Sequence, residues 1–161
     1  MAGAYNPPVT TRPLKEYAES DERYWYVSPE RYLALLAELR EAAPALDPPP
    51  DSVVGIKRSG LFPAVYLSHQ LKLPMLTDGE AKVFPYPKFS RPLVVDTAIW
   101  SGKSARRVVE RLRRRGVEQI RVLAMFARED PRPEVDGLHY LELTDRIIHF
   151  WYDETKEEAE P

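Results

Sequence analysis

The apolar residues of this chain keep two rhythms, one of helices and one of buried strands. Tyr32, Leu35, Leu36 and Leu39 recur at helical spacing behind Ser28, Pro29 and Glu30. A hydroxyl cap, a proline in the first turn and an acid beside it answer the free N–H groups of a helix start. A helix is therefore predicted from residue 28, ended by Pro44 and by Pro48, Pro49 and Pro50. Residues 52–56 are short, apolar and rich in β-branched side chains, the pattern of a parallel strand buried on both faces. A turn through Lys57, Arg58, Ser59 and Gly60 follows. Leu61, Ala64, Val65 and Ser68 then return to helical spacing over 61–71, with Pro63 tolerated in the first turn.

The same order repeats. A strand over 93–96, a loop over 97–102 and a helix over 103–115 stopped by Gly116 are followed directly by a strand over 120–126. Alternating strands and helices predict an α/β fold with a mostly parallel central sheet, helices on its faces and ligands at the carboxyl ends of the strands. Residues 77–92, broken by Pro85, Pro87 and Pro92 and carrying Phe84, Tyr86 and Phe89, read as a small hood over the site or as a proline-stiffened crossover. Two further strand-like runs, 138–143 and 147–150, close the pattern. The predicted organisation is an N-terminal arm over 1–27, one domain over 28–152 and an acidic tail over 153–161.

Composition narrows the function. The 161 residues fit a single core, and no apolar run approaches the roughly 20 residues of a membrane span. The first residues lack the charged start and apolar stretch of a secretory signal, so a cytoplasmic protein is expected. Without cysteine there is no disulfide, thiolate nucleophile or zinc-thiolate site, and His69, His139 and His149 have no metal-ligand spacing. Any metal here is a hard ion such as magnesium. A net charge of -2 disfavours a general nucleic-acid coat.

Two loops carry the candidate chemistry. Residues 94–104 end in Trp100, Ser101, Gly102, Lys103 and Ser104, which set two hydroxyls and a glycine at a helix N-terminus. Unpaired N–H groups and the partial positive charge of such a terminus receive phosphate. A plain serine-capped turn accounts for the same residues structurally. The motif is not a Walker A loop, because Thr97 stands where its first glycine belongs, and no dinucleotide fingerprint follows any strand. Lys57, Arg58, Ser59 and Gly60 offer two cations and a flexible turn to a second anion, or else a solvated surface turn. Together, at the ends of two strands, the loops make separate seats for two phosphate groups.

These residues resemble a known family. Residues 53–64 resemble the pyrophosphate loop of the type I phosphoribosyltransferases, and residues 94–104 resemble their phosphoribosyl-pyrophosphate (PRPP) motif. Residues 125–128 and 147–151 are similar to the base-reading strand and the purine-binding segment of the xanthine-guanine branch. The resemblance implies transfer of phosphoribosyl from PRPP to a nucleobase, a 6-oxopurine, with magnesium bound and pyrophosphate released. It implies 5′-phosphate binding by Asp96, Thr97, Ser101, Gly102, Lys103 and Ser104, and pyrophosphate binding by Lys57, Arg58, Ser59 and Gly60. Base binding would fall to Arg128, Ile147, Ile148 and Trp151, magnesium to Asp96 and Asp153, and the chain would form a homo-oligomer. The PRPP motif is degenerate: of three expected acids only Asp96 is present, with Thr97 and Trp100 in the other places. Trp100 cannot accept a proton, and losing a general base costs about 10²- to 10⁴-fold in rate. A weakened PRPP- or nucleotide-binding regulator is therefore the first alternative. An RNA-binding regulator is the second, resting on Arg106, Arg107, Arg111, Arg113, Arg114 and Arg115. Tyr24, Trp25 and Tyr26 are expected to pack as a staple or contact, and His149 to be structural.

Overall fold

The computed structural model describes residues 22–153. Its elements are β1 (Tyr24–Val27), α1 (Pro29–Ala42), β2 (Ser52–Gly55), α2 (Leu61–Leu71), β3 (Met75–Thr77), β4 (Pro92–Ile99), α3 (Lys103–Arg114), β5 (Arg121–Arg128), β6 (Leu138–Thr144) and β7 (Ile147–Phe150). Short 3-10 turns at Ala43–Ala45 and Glu80–Val83 complete it. The predicted helix start is confirmed in detail, since the Ser28 hydroxyl accepts the Arg31 N–H at 3.2 Å and Tyr32, Leu35, Leu36 and Leu39 are buried.

Five strands form one sheet in the order β3-β2-β4-β5-β6, every pair parallel. The chain runs outward from β2 to β3, returns to the other side of β2 as β4, and continues outward through β5 and β6. The direction of winding therefore reverses between β2 and β4, and their carboxyl ends open a crevice at that reversal. One face of the sheet packs Leu93, Val95, Leu123 and Met125 against Leu35, Leu39, Ala64 and Leu67 of α1 and α2. The other packs Val94, Val122 and Ala124 against Val108, Val109 and Leu112 of α3. This two-sided cover explains why β2 is buried at every position rather than alternating.

The structure revises two sequence expectations, adds a strand and decides between two alternatives. The arm over 1–27 ends too late: Tyr24–Val27 is a strand pairing in parallel with β7, and Val27 is fully buried. The N-terminal part of that arm and the tail over 154–161 lie outside the described residues. The strand predicted to stop at Asp96 continues to Ile99, because Ala98 and Ile99 pair with Phe126 and Ala127. Thr97 is thus a strand residue rather than the start of a loop. The three-residue β3 was not predicted. Residues 77–92 form a crossover and no hood, with Phe84 and Ala81 fully buried in the α3 core. The hood is instead the two-stranded sheet of β1 and β7, seated by Trp25 edge-on to Phe126 at 5.3 Å and by Phe150 edge-on to Tyr32 at 5.7 Å.

Candidate active site

The crevice is closed at its floor by a glycine. A side chain on Gly60 would meet the carbonyl oxygens of Ile56 and Val95 at 2.6 and 2.7 Å, so only glycine lets the β2 loop lie directly against the β4 backbone. Beside it, the Thr97 hydroxyl donates to the Ser59 hydroxyl at 2.9 Å. Thr97 is 2% exposed, which makes it a strut between the two loops more than a ligand group.

Asp96 sits next to this strut with one partner, the Thr97 N–H at 2.8 Å. Burial, only partly offset by that hydrogen bond and reinforced by the charge of Asp78, pushes its carboxyl up to about 7. Asp78, just beyond β3, also faces the β2 loop: it accepts the Lys57 N–H at 3.4 Å and lies 3.8 Å from the Lys57 ammonium. Lys57 thus has a carboxylate partner. Arg58 is exposed and has none among the described residues, which leaves it the available cation of the β2 loop.

The loop after β4 ends in Gly102, whose φ of 72° lies in the left-handed region that glycine adopts freely. No side chain caps α3 through this position, and Ser101, Lys103 and Ser104 are exposed around it. The Ser101 hydroxyl accepts the Lys103 N–H at 3.4 Å. Val135 and Pro133 close over Gly102, and Arg106 holds that segment through the Glu134 carbonyl at 3.0 Å. The arginines of α3 are largely tethers of this kind: Arg111 reaches the Asp78 carbonyl, Arg115 the Phe84 carbonyl and Arg113 the Asp136 carboxylate. The helix therefore offers little of the free basic face that the RNA reading needs.

No family model matches this chain, and no curated protein matches it. Solved structures do. A purine phosphoribosyltransferase from Pyrococcus horikoshii Ot3 superposes with a TM-score of 0.65 at 22% identity, over 83% of this chain and 96% of that one. A xanthine-guanine-hypoxanthine phosphoribosyltransferase from Helicobacter pylori gives 0.67 at 19% identity, over 80% and 92%. A hypothetical protein from Neisseria gonorrhoeae with bound ppGpp gives 0.66 at 17% identity, over 83% and 90%. The fold is that of the type I phosphoribosyltransferases.

Within the phosphoribosyltransferase fold, the remaining predicted residues divide. Arg128, at the end of β5, lies over the Trp100 ring at 5.4 Å and 3.7 Å from the Asp145 carboxylate, so two departures from the family pattern meet each other. Ile148 is partly buried and packs against the core cluster that includes α1. Ile147, 49% exposed, lines a cavity of about 800 Å³ with Trp25, Asp145 and Arg146, on the hood side of the strand ends. Trp151 is exposed and meets Tyr152 edge-on at 5.5 Å. Asp153 accepts the Phe150 N–H at 2.8 Å and so fastens the end of β7. Asp78 is the carboxylate whose charge bears on Asp96. The described residues hold no group of three or more acids and histidines able to cage a metal. This donor set fits magnesium only as an ion that takes most of its ligands from diphosphate and water, with Asp96 contributing.

Tyr152 and Asp78 are the residues that sequence reasoning missed. Tyr152 stacks on Phe150 at 5.3 Å, tilts against Phe62 of α2 at 4.8 Å and lies edge-on to Tyr32 at 5.6 Å, tying the hood to both helices beside Thr97. Burial raises both phenols, Tyr32 to about 12. Two-residue alternation from the buried Phe150 would have pointed inward to Tyr152 rather than to Trp151.

Proposed function

We propose that this protein binds PRPP across the β2 and β4 loops and transfers its phosphoribosyl group to a 6-oxopurine, slowly for want of a general base. The observation that carries the reading is the clasp of Gly60 and Ser59 against Val95 and Thr97, which sets two anion-ready loops on either side of one crevice. The 5′-phosphate would take the exposed hydroxyls and N–H groups over 101–104, the diphosphate would face Arg58, and Asp96 would hold a ribose hydroxyl. Magnesium, when bound, would neutralise the diphosphate, with Asp96 as the protein ligand. In the reaction a base nitrogen attacks C1 of the ribose, the C1–O bond to diphosphate breaks, and the base N–H proton passes to solvent. Neither an indole nor a guanidinium can accept it.

A second reading, nucleotide binding without turnover, is favoured by Trp100 in the acid's place and by the Neisseria protein that shares the fold and holds ppGpp. Calorimetric titration with PRPP and magnesium, then with GMP and IMP, tests the shared part of both readings. Single-turnover pyrophosphate release over guanine, xanthine and hypoxanthine separates them. Measurable release supports transfer, and tight binding with no release supports the regulator. If PRPP and the nucleotides all fail to bind, both readings fall.

A further inference from the structure

We infer that Tyr152 is a positioning residue for the diphosphate, heading a one-way chain of hydroxyls through Thr97 that leaves the Ser59 O–H as a free donor in the crevice. The inference rests on the proposed PRPP site and deepens it by assigning how the β2 loop is made ready for an anion. Tyr152 follows the last hood strand, where its ring stacks on Phe150 at 5.3 Å, tilts against Phe62 at 4.8 Å and stands edge-on to Tyr32 at 5.6 Å. Rings from the hood, α2 and α1 thus fix the phenol in place. The oxygens of Tyr152 and Tyr32 are both shut off from solvent, and the hydroxyls that act on the Tyr152 phenol are those of Tyr32 and Thr97. Thr97 is itself buried, while Ser59, at the other end of the strut, is partly exposed beside the exposed Arg58.

Counting hydrogens sets the direction of the chain. Thr97 gives its single hydroxyl hydrogen to Ser59 at 2.9 Å, so toward Tyr152 it has only lone pairs to offer. Tyr152 is therefore the donor of that pair, and Tyr32 stands behind it at the closed end. Ser59 receives a hydrogen and keeps its own, which no described residue takes. An O–H held beside a cation matches an anionic oxygen, and a hydrogen bond to such an acceptor is about twice as strong as a neutral one. Each bond behind it polarises the next in the low-dielectric interior. The same count gives a reason for threonine where the family pattern has an acid. A carboxylate at position 97 could only accept, would draw the Ser59 hydrogen inward and would leave the loop without this donor.

The test is calorimetric titration with PRPP plus magnesium and, separately, with GMP, on the wild type, Tyr152→Phe, Thr97→Val, Thr97→Ser and the double variant Tyr152→Phe with Thr97→Val. Tyr152→Phe keeps the ring and removes only the hydroxyl. It should weaken PRPP about 2- to 10-fold, the range of one neutral hydrogen bond, and leave GMP within about 2-fold. Thr97→Val should cost PRPP at least as much, and Thr97→Ser, which keeps the hydroxyl, should bind like the wild type. In the Thr97→Val background Tyr152→Phe should cost nothing further, because the chain is already cut. Additive losses in the double variant would overturn the inference, as would equal loss of PRPP and GMP in Tyr152→Phe, the mark of a hood that no longer seats. Undiminished PRPP binding by Tyr152→Phe would overturn it while leaving the PRPP site intact. If the Thr97 variants fail to fold, the ratio of PRPP to GMP affinity in Tyr152→Phe decides alone. Failure of the wild type to bind PRPP would bring down the inference and the proposed transfer together.

Discussion

The two halves of the crevice are built on different principles. The proposed phosphate half consists of two short segments, each a strand end running through a glycine into a helix, fastened by one hydroxyl pair and one close backbone approach. The proposed base half is assembled from four places: Trp100 before α3, Arg128 at the end of β5, Asp145 between β6 and β7, and the hood strands. Phosphate recognition uses backbone N–H groups and helix ends, which depend on a few consecutive residues. Base recognition uses side chains that meet only after folding. The first is a matter of local chain geometry, while the second depends on residues far apart in sequence, such as Trp100 and Arg128.

The sharpest way to break this comparison is to return the base half to the family pattern. Trp100→Asp alone would place a carboxylate under the Arg128 guanidinium, and the new ion pair would hold both groups away from the base. The double change, Trp100→Asp with Arg128→Lys, should free the carboxylate to accept the base proton and raise single-turnover pyrophosphate release by about 10²- to 10⁴-fold. The single change should gain far less. Adding Thr97→Asp should not help, because Thr97 is buried and a second carboxylate there would sit beside Asp96 without solvent. A double variant no faster than the wild type would mean that Trp100 does not occupy the place of a general base.

The same contrast explains what was legible in the sequence. Ser28 to Leu39, the buried β2 and the glycine before each phosphate-side helix are local patterns, and the structure reproduces them. The contacts of Arg128 with Trp100 and Asp145 span 28 and 17 residues of chain, and nothing in the spacing of the three announces them. Tyr24–Val27 escaped notice because its partner lies more than 100 residues away, and a four-residue strand has no period of its own. Asp78 was hidden behind β3, a strand of only three residues.

A second measurement sharpens the phosphate half through Asp96. Its carboxyl is held near 7 in the folded chain, mainly by burial, against an ordinary value near 4 when unfolded. Between these values the folded state binds the extra proton, so Asp96 makes stability fall as pH rises from about 4 to about 7 and leaves it flat above. Asp96→Asn removes this loss. In denaturant titrations the variant should match the wild type near pH 4 and exceed it above pH 7 by up to roughly 4 kcal/mol, three pH units' worth of linkage. A constant difference at every pH would show that Asp96 titrates alike in the folded and unfolded chain and is not the buried acid of the crevice.

The smallest expected effect separates the two cations of the β2 loop. Lys57 has the Asp78 carboxylate 3.8 Å from its ammonium, so much of its charge is already answered, and at 51% exposure the pair is screened by water. Arg58 has no such partner among the described residues. A charge-assisted hydrogen bond to a diphosphate is worth about 1.5 to 3 kcal/mol, so Arg58→Ala should weaken PRPP by roughly 10- to 100-fold. It should leave GMP, which brings no diphosphate, within about 2-fold, since its single phosphate belongs to the other loop. Lys57→Ala should cost PRPP no more than about 3-fold, within the range of an exposed ion pair, and should leave Asp78 only the backbone N–H of residue 57. Parallel calorimetric titrations of both variants with PRPP and GMP check the order. Equal losses for Lys57→Ala and Arg58→Ala would show that Asp78 releases Lys57 when the diphosphate arrives. Equal losses of PRPP and GMP in Arg58→Ala would place both ligands' phosphates on one loop and end the division of the crevice into two anion seats.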